Sequence, residues 1–449
     1  MTYQDLSHKT LRHHKTVAMP ADAKLELDPH IPWREPAWYR SQSSPYYNQS
    51  HRKLRDNVRS YIDKHILPFA LGWEQSGTVP AKDAAAFVRS GIPFDDVPSD
   101  FRPSDVLALN GLPDGKADVF HSLIIADEMA RIEGGVGIGL AGASSVGVPP
   151  IVHYGTSAQK NKWLPGLFSK ETSFCLGITE PNAGSDVAQI QTTADKSGDG
   201  TVYTVNGVKK WITGAPWASH MTTAVRTGGP GKDGISVLVI PMSSAGVHCQ
   251  KLNNSGHSAA GASIVDLDDV EVPVENLIGE ENKGFEVLMR NFNRERFLLA
   301  VSCNRKSRTC LSLSFQYAMT RETFGKPLIE NQVIRRKLVE MSHRVEAHWA
   351  WLEQITFHIQ NSPLGWQSPE IAGQIALLKI QGGQMLELAS REAQQIFGGA
   401  GYQRGGKGAT IEQISRDLRL LVIGGGSEEI LSDLTIRQEL SGMRRRVKL

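Results

Sequence analysis

The sequence predicts an α+β fold in three consecutive blocks: an N-terminal α-helical domain, a central β-barrel-like domain and a C-terminal α-helical bundle. Three observations carry this reading. Apolar residues recur at helical spacing up to about residue 170, alternate at strand spacing to about residue 283, and then return to helical spacing. The length of 449 residues fits, since a domain holds roughly 150 residues. Composition is that of an ordinary folded chain, 40% hydrophobic and 21% charged. The boundaries that follow are an N-terminal extension over 1–45 and domains over 46–170, 171–283 and 284–449.

The extension is polar and lacks the continuous apolar stretch of a signal peptide. Its His8, His13 and His14 come with no further ligand pattern, so they read as a solvated tail rather than a metal site. In the first domain, helices are expected over 46–69, over 120–131, where Leu123, Ile124 and Met129 share a face, and over 157–167. Between the first two, residues 93–115 are rich in Pro and Asp and read as a long surface loop, a type that often carries function and here would flank a substrate entrance. The glycine-rich stretch 134–148 is interrupted and no run of about 18 apolar residues occurs, so no transmembrane segment is expected.

The β block contains an alternating run from Thr201 to Val208 with an Asn206-Gly207 hairpin signal. It continues with a β-branched run from Gly234 to Pro241 and an alternating apolar–acidic run from Val265 to Pro273. The last block reads as helices over 285–317, 332–360, 370–397, 411–421 and 428–440. Its basic tail ends in Val447-Lys448-Leu449, which is similar to the Ser-Lys-Leu peroxisomal address but carries Val where a small polar residue belongs. A frayed helical tail is the simpler reading. An intracellular location is expected, with peroxisome, mitochondrion and cytosol all open.

Charge and cysteine content exclude several classes. Lys plus Arg number 49 and Asp plus Glu 47, leaving a net charge of +2 and no bulk attraction to nucleic acid or an anionic membrane. The four cysteines form no CxxC pair, so neither a zinc site nor a disulfide framework is expected, and Cys303 and Cys310 read as buried thiols in a helix.

Six short segments remain. Gly177-Ile-Thr-Glu-Pro-Asn-Ala-Gly-Ser-Asp186 is a polar turn whose backbone N–H groups suit a phosphate or a ring edge. Lys210-Trp-Ile-Thr213 offers an aromatic plane and a hydroxyl, although Trp211 alone reads as core. Arg321-Glu-Thr-Phe-Gly-Lys326 is followed by Gln332, then by Gln395-Ile-Phe-Gly-Gly-Ala-Gly-Tyr402. Ser415-Arg-Asp417 precedes Ile423-Gly-Gly-Gly-Ser-Glu-Glu-Ile430. Singly, each is explained as a helix cap or interhelical turn.

In this order they resemble the acyl-CoA dehydrogenase family from about Tyr46 to Gln438. The resemblance implies FAD, an acyl-CoA or related acyl-carrier thioester substrate, an electron-transfer flavoprotein or oxygen as electron acceptor, and a homotetramer or homodimer. It implies that Leu176, Ile178, Thr179 and Ser185 line the isoalloxazine and pyrophosphate, that Trp211 flanks the ring and that Thr213 lies near N5. Arg321, Thr323, Phe324, Gln332, Gln395, Gly398 and Gly399 resemble segments reaching the adenosine end across a subunit boundary, while Ser427 and Glu429 match cofactor-contacting positions. Ser185, Asn293, Arg294, Arg296 and Gly425 fall at substrate-binding positions; Asn293 stands where several relatives carry Asp.

The chemistry implied is removal of an α-proton by a carboxylate while hydride passes from Cβ to flavin N5. Donors at the thioester oxygen stabilise developing enolate charge, and burial raises a glutamate toward the working pH. In the commonest family pattern the base is the Glu of a Tyr-Glu-Gly-Thr loop; here Gly425 occupies that place. Three readings stand: no catalysis, a base at Glu428 or Glu429, or a base elsewhere. Acidic residues at 428 and 429 also suit a helix start. Phe292-Asn-Arg-Glu-Arg-Phe-Leu-Leu-Ala300 resembles the subset typified by isovaleryl- and long-chain acyl-CoA dehydrogenases, with Glu295 at the base position. An acidic residue on an Arg-rich helix is often only a surface ion pair. The vacated Gly425 nevertheless favours Glu295, and space beside a bare Gly-Gly-Gly loop predicts tolerance of a branched or bulky acyl group. An acyl-thioester oxidase and a catalytically inactive flavin-fold binding protein are the rival functions.

Overall fold

The computed structural model describes residues 27–40, 42–104, 106 and 117–447; His8, His13, His14, Lys448 and Leu449 lie outside them. The first block holds α1 (Gln49–His65), α2 (Leu67–Ser76), α3 (Ala81–Arg89) and α4 (Val119–Met129), followed by short helical segments between Val136 and Trp163. The single helix expected over 46–69 is split at Ile66, because Pro68 starts a new helix and cannot continue the old one. Where a loop is expected after residue 93, the described part makes two 3₁₀ turns, Ile92–Phe94 and Ser99–Phe101.

Two helix starts are joined by one carboxylate. Asp118 caps α4 by accepting from the His121 N–H at 3.1 Å, and its Oδ1 lies 3.0 Å from Nε2 of His51 on α1. His51 Nδ1 in turn accepts from the Asn48 N–H at 3.1 Å, closing the cap of α1. This engagement explains a His–Asp–His cluster that otherwise has metal-ligand spacing. Burial would raise the Asp118 carboxyl, but hydrogen bonds from His121 and His51 hold it below the ordinary carboxylate range. Its contribution is therefore present at neutral pH and lost as pH falls through that depressed value. Asp118→Ala is expected to lower stability by about 1–2 kcal/mol at pH 7, read from the denaturant midpoint.

The middle block is one curled seven-stranded sheet: β1 (Phe174–Gly177), β2 (Thr193–Lys196), β3 (Val202–Ile212), β4 (His220–Arg226), β5 (Ile235–Pro241), β6 (Val247–Lys251) and β7 (Ser263–Pro273). The order is β1-β4-β2-β3-β7-β6, with β5 on β4. Asn206-Gly207 is not a hairpin turn. β3 runs through it and keeps pairing with β7, at Val208↔Asp266 and Lys209↔Val265, after a register shift at Gly207. Gly207 has φ +152°, and a Cβ there would lie 2.7 Å from Thr192 Cα, so this glycine serves a bulge packed against its neighbour.

The last block comprises α5 (Gly284–Thr320), the hairpin β8 (Glu322–Thr323) and β9 (Lys326–Pro327), α6 (Gln332–Asn361), α7 (Ala372–Phe397), α8 (Ala409–Ile423) and α9 (Glu428–Val447). No helix among the described residues is long and apolar enough to cross a membrane. The 37-residue α5 unites the molecule. Its Leu288 packs with Phe174 and Val237 of the sheet, its Ala300 and Val301 with Val58 and Leu123 of the first block, and its Cys303 and Cys310 with Leu386 and Ile411. Both thiols are buried and free. The extension joins this core: Glu35 pairs with Arg55 and Arg59 of α1 and Arg305 of α5, and Trp38 stacks on Tyr47 at 3.9 Å.

Candidate active site

β1 runs parallel to β4 and leads into a tight turn closed by the Glu180 N–H donating to the Ala183 carbonyl at 3.1 Å. Glu180 is buried and accepts from the N–H of Gln191 (2.6 Å), the N–H of Thr192 (3.0 Å), the Thr192 hydroxyl (2.6 Å) and Lys209 Nζ (2.7 Å). Lys209 also donates to the Ile178 carbonyl at 3.1 Å. Burial opposes ionisation of Glu180, yet the Lys209 ammonium and these donors hold its carboxyl below the ordinary range. The pinned turn carries Leu176 and Thr179 half-buried, Ile178 buried and Ser185 exposed at its tip. The Lys210 N–H donates to the Thr179 carbonyl at 2.8 Å, which brings the first two sequence segments side by side.

Trp211 sits at a second register shift, between Lys210 and Ile212, with φ +65° and a ring 54% exposed. A positive φ on a bulky residue is strained, and such strain concentrates at functional positions. The bulge turns the ring out of the core that sequence reasoning on its own favours. Thr213 follows half-buried, and the Gly214 N–H donates to the Ala260 carbonyl at 2.8 Å. An aromatic face, a neighbouring hydroxyl and a rigid polar turn together fit a planar, phosphate-bearing cofactor such as FAD.

On α5, Glu295 is half-buried and its Oε1 accepts from Asn291 Nδ2 at 2.7 Å. Burial raises its carboxyl to about 7, opposed by the Asn291 hydrogen bond and by Arg296 and Arg294. Arg294 turns away to Asp95 and Asp96, 3.2 Å from each, so the loop after α3 docks on this helix. Asn293 Nδ2 donates to the Trp366 carbonyl at 3.2 Å. Arg296 Nε donates to the Gly425 carbonyl at 2.9 Å, and Lys379 Nζ of α7 donates to the Gly426 carbonyl at 2.8 Å. Arg296 thus ties the glycine loop to α5 and Lys379 ties it to α7.

Gly425 has φ +70°, and a Cβ there would lie 2.6 Å from Leu299 Cδ1. Leu299 therefore takes up room that the missing side chain was expected to leave open. At the loop's far end, Glu429 is exposed; its own N–H and the Ser427 hydroxyl hold its carboxyl below the ordinary range. Glu428 accepts from Gln384.

The remaining predicted residues lie on the last block, away from its core. Arg321, Gln332, Gln395, Gly398 and Gly399 are exposed and Thr323 half-buried; Phe324, with φ +53°, presents its whole ring to solvent at the tip of the β8–β9 hairpin. No hydrogen bond or ion pair among the described residues joins this set to Trp211 or Thr213.

Sequence reasoning missed Glu180, Lys209, Asn291 and Lys379 as supports of the site. Lys379 left a signal, a lone cation in the apolar run Ile375-Ala-Leu-Leu-Lys-Ile380, and Asn291 lies four residues before Glu295. The Lys209–Glu180 pair left none, since its partners are far apart in the chain.

Three family profiles match the chain in order: acyl-CoA dehydrogenase N-terminal domain over 48–171, middle domain over 175–270 and C-terminal domain over 282–440. Curated relatives include acyl-CoA dehydrogenase AFT10-1 of Alternaria alternata, 43% identical over 92% of this chain and 97% of its own length. Acyl-CoA dehydrogenase apdG of Emericella nidulans is 40% identical, covering 91% and 95%. Among solved structures, a putative acyl-CoA dehydrogenase from Mycobacterium smegmatis superposes with a TM-score of 0.79 at 29% identity, covering 88% of this chain and 98% of its own.

Proposed function

The chain belongs to the acyl-CoA dehydrogenase family of FAD-dependent oxidoreductases, and we propose that in this member Glu295 abstracts the α-proton of an acyl-CoA or acyl-carrier thioester to form an α,β-double bond. One observation carries the choice of base: Glu295 lies on α5 next to Arg296, which holds the vacated Gly425, while Glu429 is exposed at the loop's far end. Burial lifts the Glu295 carboxyl to about 7, whereas Glu429 is held below the ordinary range. A general base works best when its own value lies near the working pH. A base near 7 is half ionised there and strong enough to draw a weakly acidic proton; a depressed carboxylate is ionised but weak.

Position supports the same assignment. Arg296, the neighbour of Glu295, holds the Gly425 carbonyl, so the two places from which this family supplies its base lie close together. The Gly425 N–H would point to the thioester oxygen and stabilise charge there, a contact that requires no side chain. FAD, when bound, supplies the two-electron acceptor for the departing hydride. Leu176, Ile178, Thr179, Ser185, Trp211 and Thr213 would hold its ring and pyrophosphate in one chain. Arg321, Thr323, Phe324, Gln332, Gln395, Gly398 and Gly399 would come from a neighbouring copy, which gives the solvated Phe324 ring a partner. Ser427 and Glu429 would close the same cofactor site. That arrangement requires at least a homodimer, with the homotetramer its doubled form. Arg294, bound to Asp95 and Asp96, would act by shaping the entrance, and Asn293 would meet the thioester's carrier arm.

The test is anaerobic flavin bleaching across a panel of straight, branched and bulky acyl-CoAs, followed by readmission of oxygen. Bleaching by at least one acyl class and slow reoxidation are expected, with electron-transfer flavoprotein as the acceptor. Rapid reoxidation would favour an oxidase. A colourless protein, or one that neither an acyl-CoA nor an acyl-carrier thioester reduces, would end the dehydrogenase assignment, and strict preference for butyryl-type substrates would end the expectation of a bulky acyl group.

A further inference from the structure

We propose that Asn291 is a positioning residue for the proton-abstracting carboxylate: its side-chain amide fixes one oxygen of Glu295 and leaves the other to take the α-proton. The inference rests on the assignment of Glu295 as base and adds the group that holds it.

Asn291 lies one helical turn before Glu295, and residues four apart on a helix face stand one above the other. Its Nδ2 is 2.7 Å from Glu295 Oε1. The residue is 6% exposed, inside a helix, where Asn is a poor helix former and a buried amide is unfavourable unless hydrogen-bonded. Packing alone would be served better there by an apolar side chain. The contact to Glu295 gives the amide its role.

The charged groups around Glu295 are arranged consistently with this. Arg294 is turned to Asp95 and Asp96 of the loop after α3, and Arg296 to the Gly425 carbonyl of the loop after α8. Among the described residues no other side chain donates a hydrogen bond to Glu295. A direct guanidinium contact would stabilise the carboxylate so strongly that it would become a weak base. A neutral amide fixes its direction with a smaller loss of basicity. Because the amide N–H stabilises the charged form, its removal raises the pH at which Glu295 ionises.

Asn291→Leu, close in size and without a donor, is expected to keep full flavin content and, at pH 5 where Glu295 is protonated in both proteins, a melting temperature close to wild type. It should move the acid limb of kcat/KM up by about one pH unit, the scale of one hydrogen bond to a charged group. The bleaching rate should fall about tenfold at pH 7 and recover only in part at high pH, since the carboxylate is no longer aimed. Asn291→Asp keeps the shape but adds a like charge, so it should shift the limb in the same direction and provides a second test if the Leu variant fails to fold. A wild-type pH profile in either folded variant overturns the inference. Glu295→Gln separates the two claims. If it bleaches like wild type, the base assignment itself falls; if it is inert while the Asn291 variants match wild type, only the role of Asn291 falls.

Discussion

Glu295→Gln is expected to slow anaerobic bleaching on the order of 10³-fold or more, while the purified protein stays yellow and still binds acyl thioester. The substitution keeps size and the oxygen that accepts from Asn291, but an amide cannot take a proton. The wild-type acid limb should have its midpoint near pH 7, where burial places the Glu295 carboxyl. The same displacement has a stability signature. An unfolded glutamate ionises near 4.5 and the folded one near 7, so between these values the native state holds the proton more tightly. Stability therefore falls as pH rises through that window, by on the order of 3 kcal/mol once it is crossed. The Gln variant lacks that loss and should melt above wild type at pH 8 but level with it at pH 4. Undiminished bleaching in Glu295→Gln would remove this residue as base, and its loss in Glu429→Gln instead would transfer the role there.

Lys209→Met should damage the flavin end of the site as severely. Lys209 is fully buried, and burial draws its ammonium down to about 8 against the pull of Glu180. Removing it leaves the buried Glu180 carboxylate without a counter-charge and frees the Ile178 carbonyl. Breaking a buried pair by deleting one partner typically costs about 3–5 kcal/mol. Here the loss falls on the turn that carries Thr179 and Ser185, so bound flavin should decline together with melting temperature. Full flavin absorbance after gel filtration, at an unchanged melting temperature, would show that the pair does not hold the turn. Glu180→Gln, which keeps the shape and one acceptor oxygen, should be milder.

Much of this was legible in the sequence because the relevant signals are local. The switch between helical and strand periodicity predicts the three blocks. The segments Thr179–Ser185, Trp211–Thr213 and Arg321–Phe324 carry their chemistry within a few consecutive residues, and Gly424-Gly425-Gly426 displays the absence of the usual base. Other features depend on partners distant in the chain. Asn206-Gly207 carries a turn signal, but pairing of β3 with β7 and the close approach of Thr192 overrule it. Glu35 lies in a segment that reads as an extension, yet it is buried against Arg55 and Arg305, residues from two other helices.

By itself the sequence determined the kind of protein this is and the order of its blocks, and it pointed to candidate cofactor segments and to Glu295 as the alternative to an unavailable Gly425. Only the tertiary structure decided how Glu295 is tuned. Its ionisation depends on burial in the assembled fold, on Arg294 being drawn off by Asp95 and Asp96, on Arg296 being spent on the glycine loop, and on Asn291 standing one turn away. A carboxylate's basicity is set by the solvent and charges it loses or gains when distant segments meet, and no local pattern of residues encodes that sum.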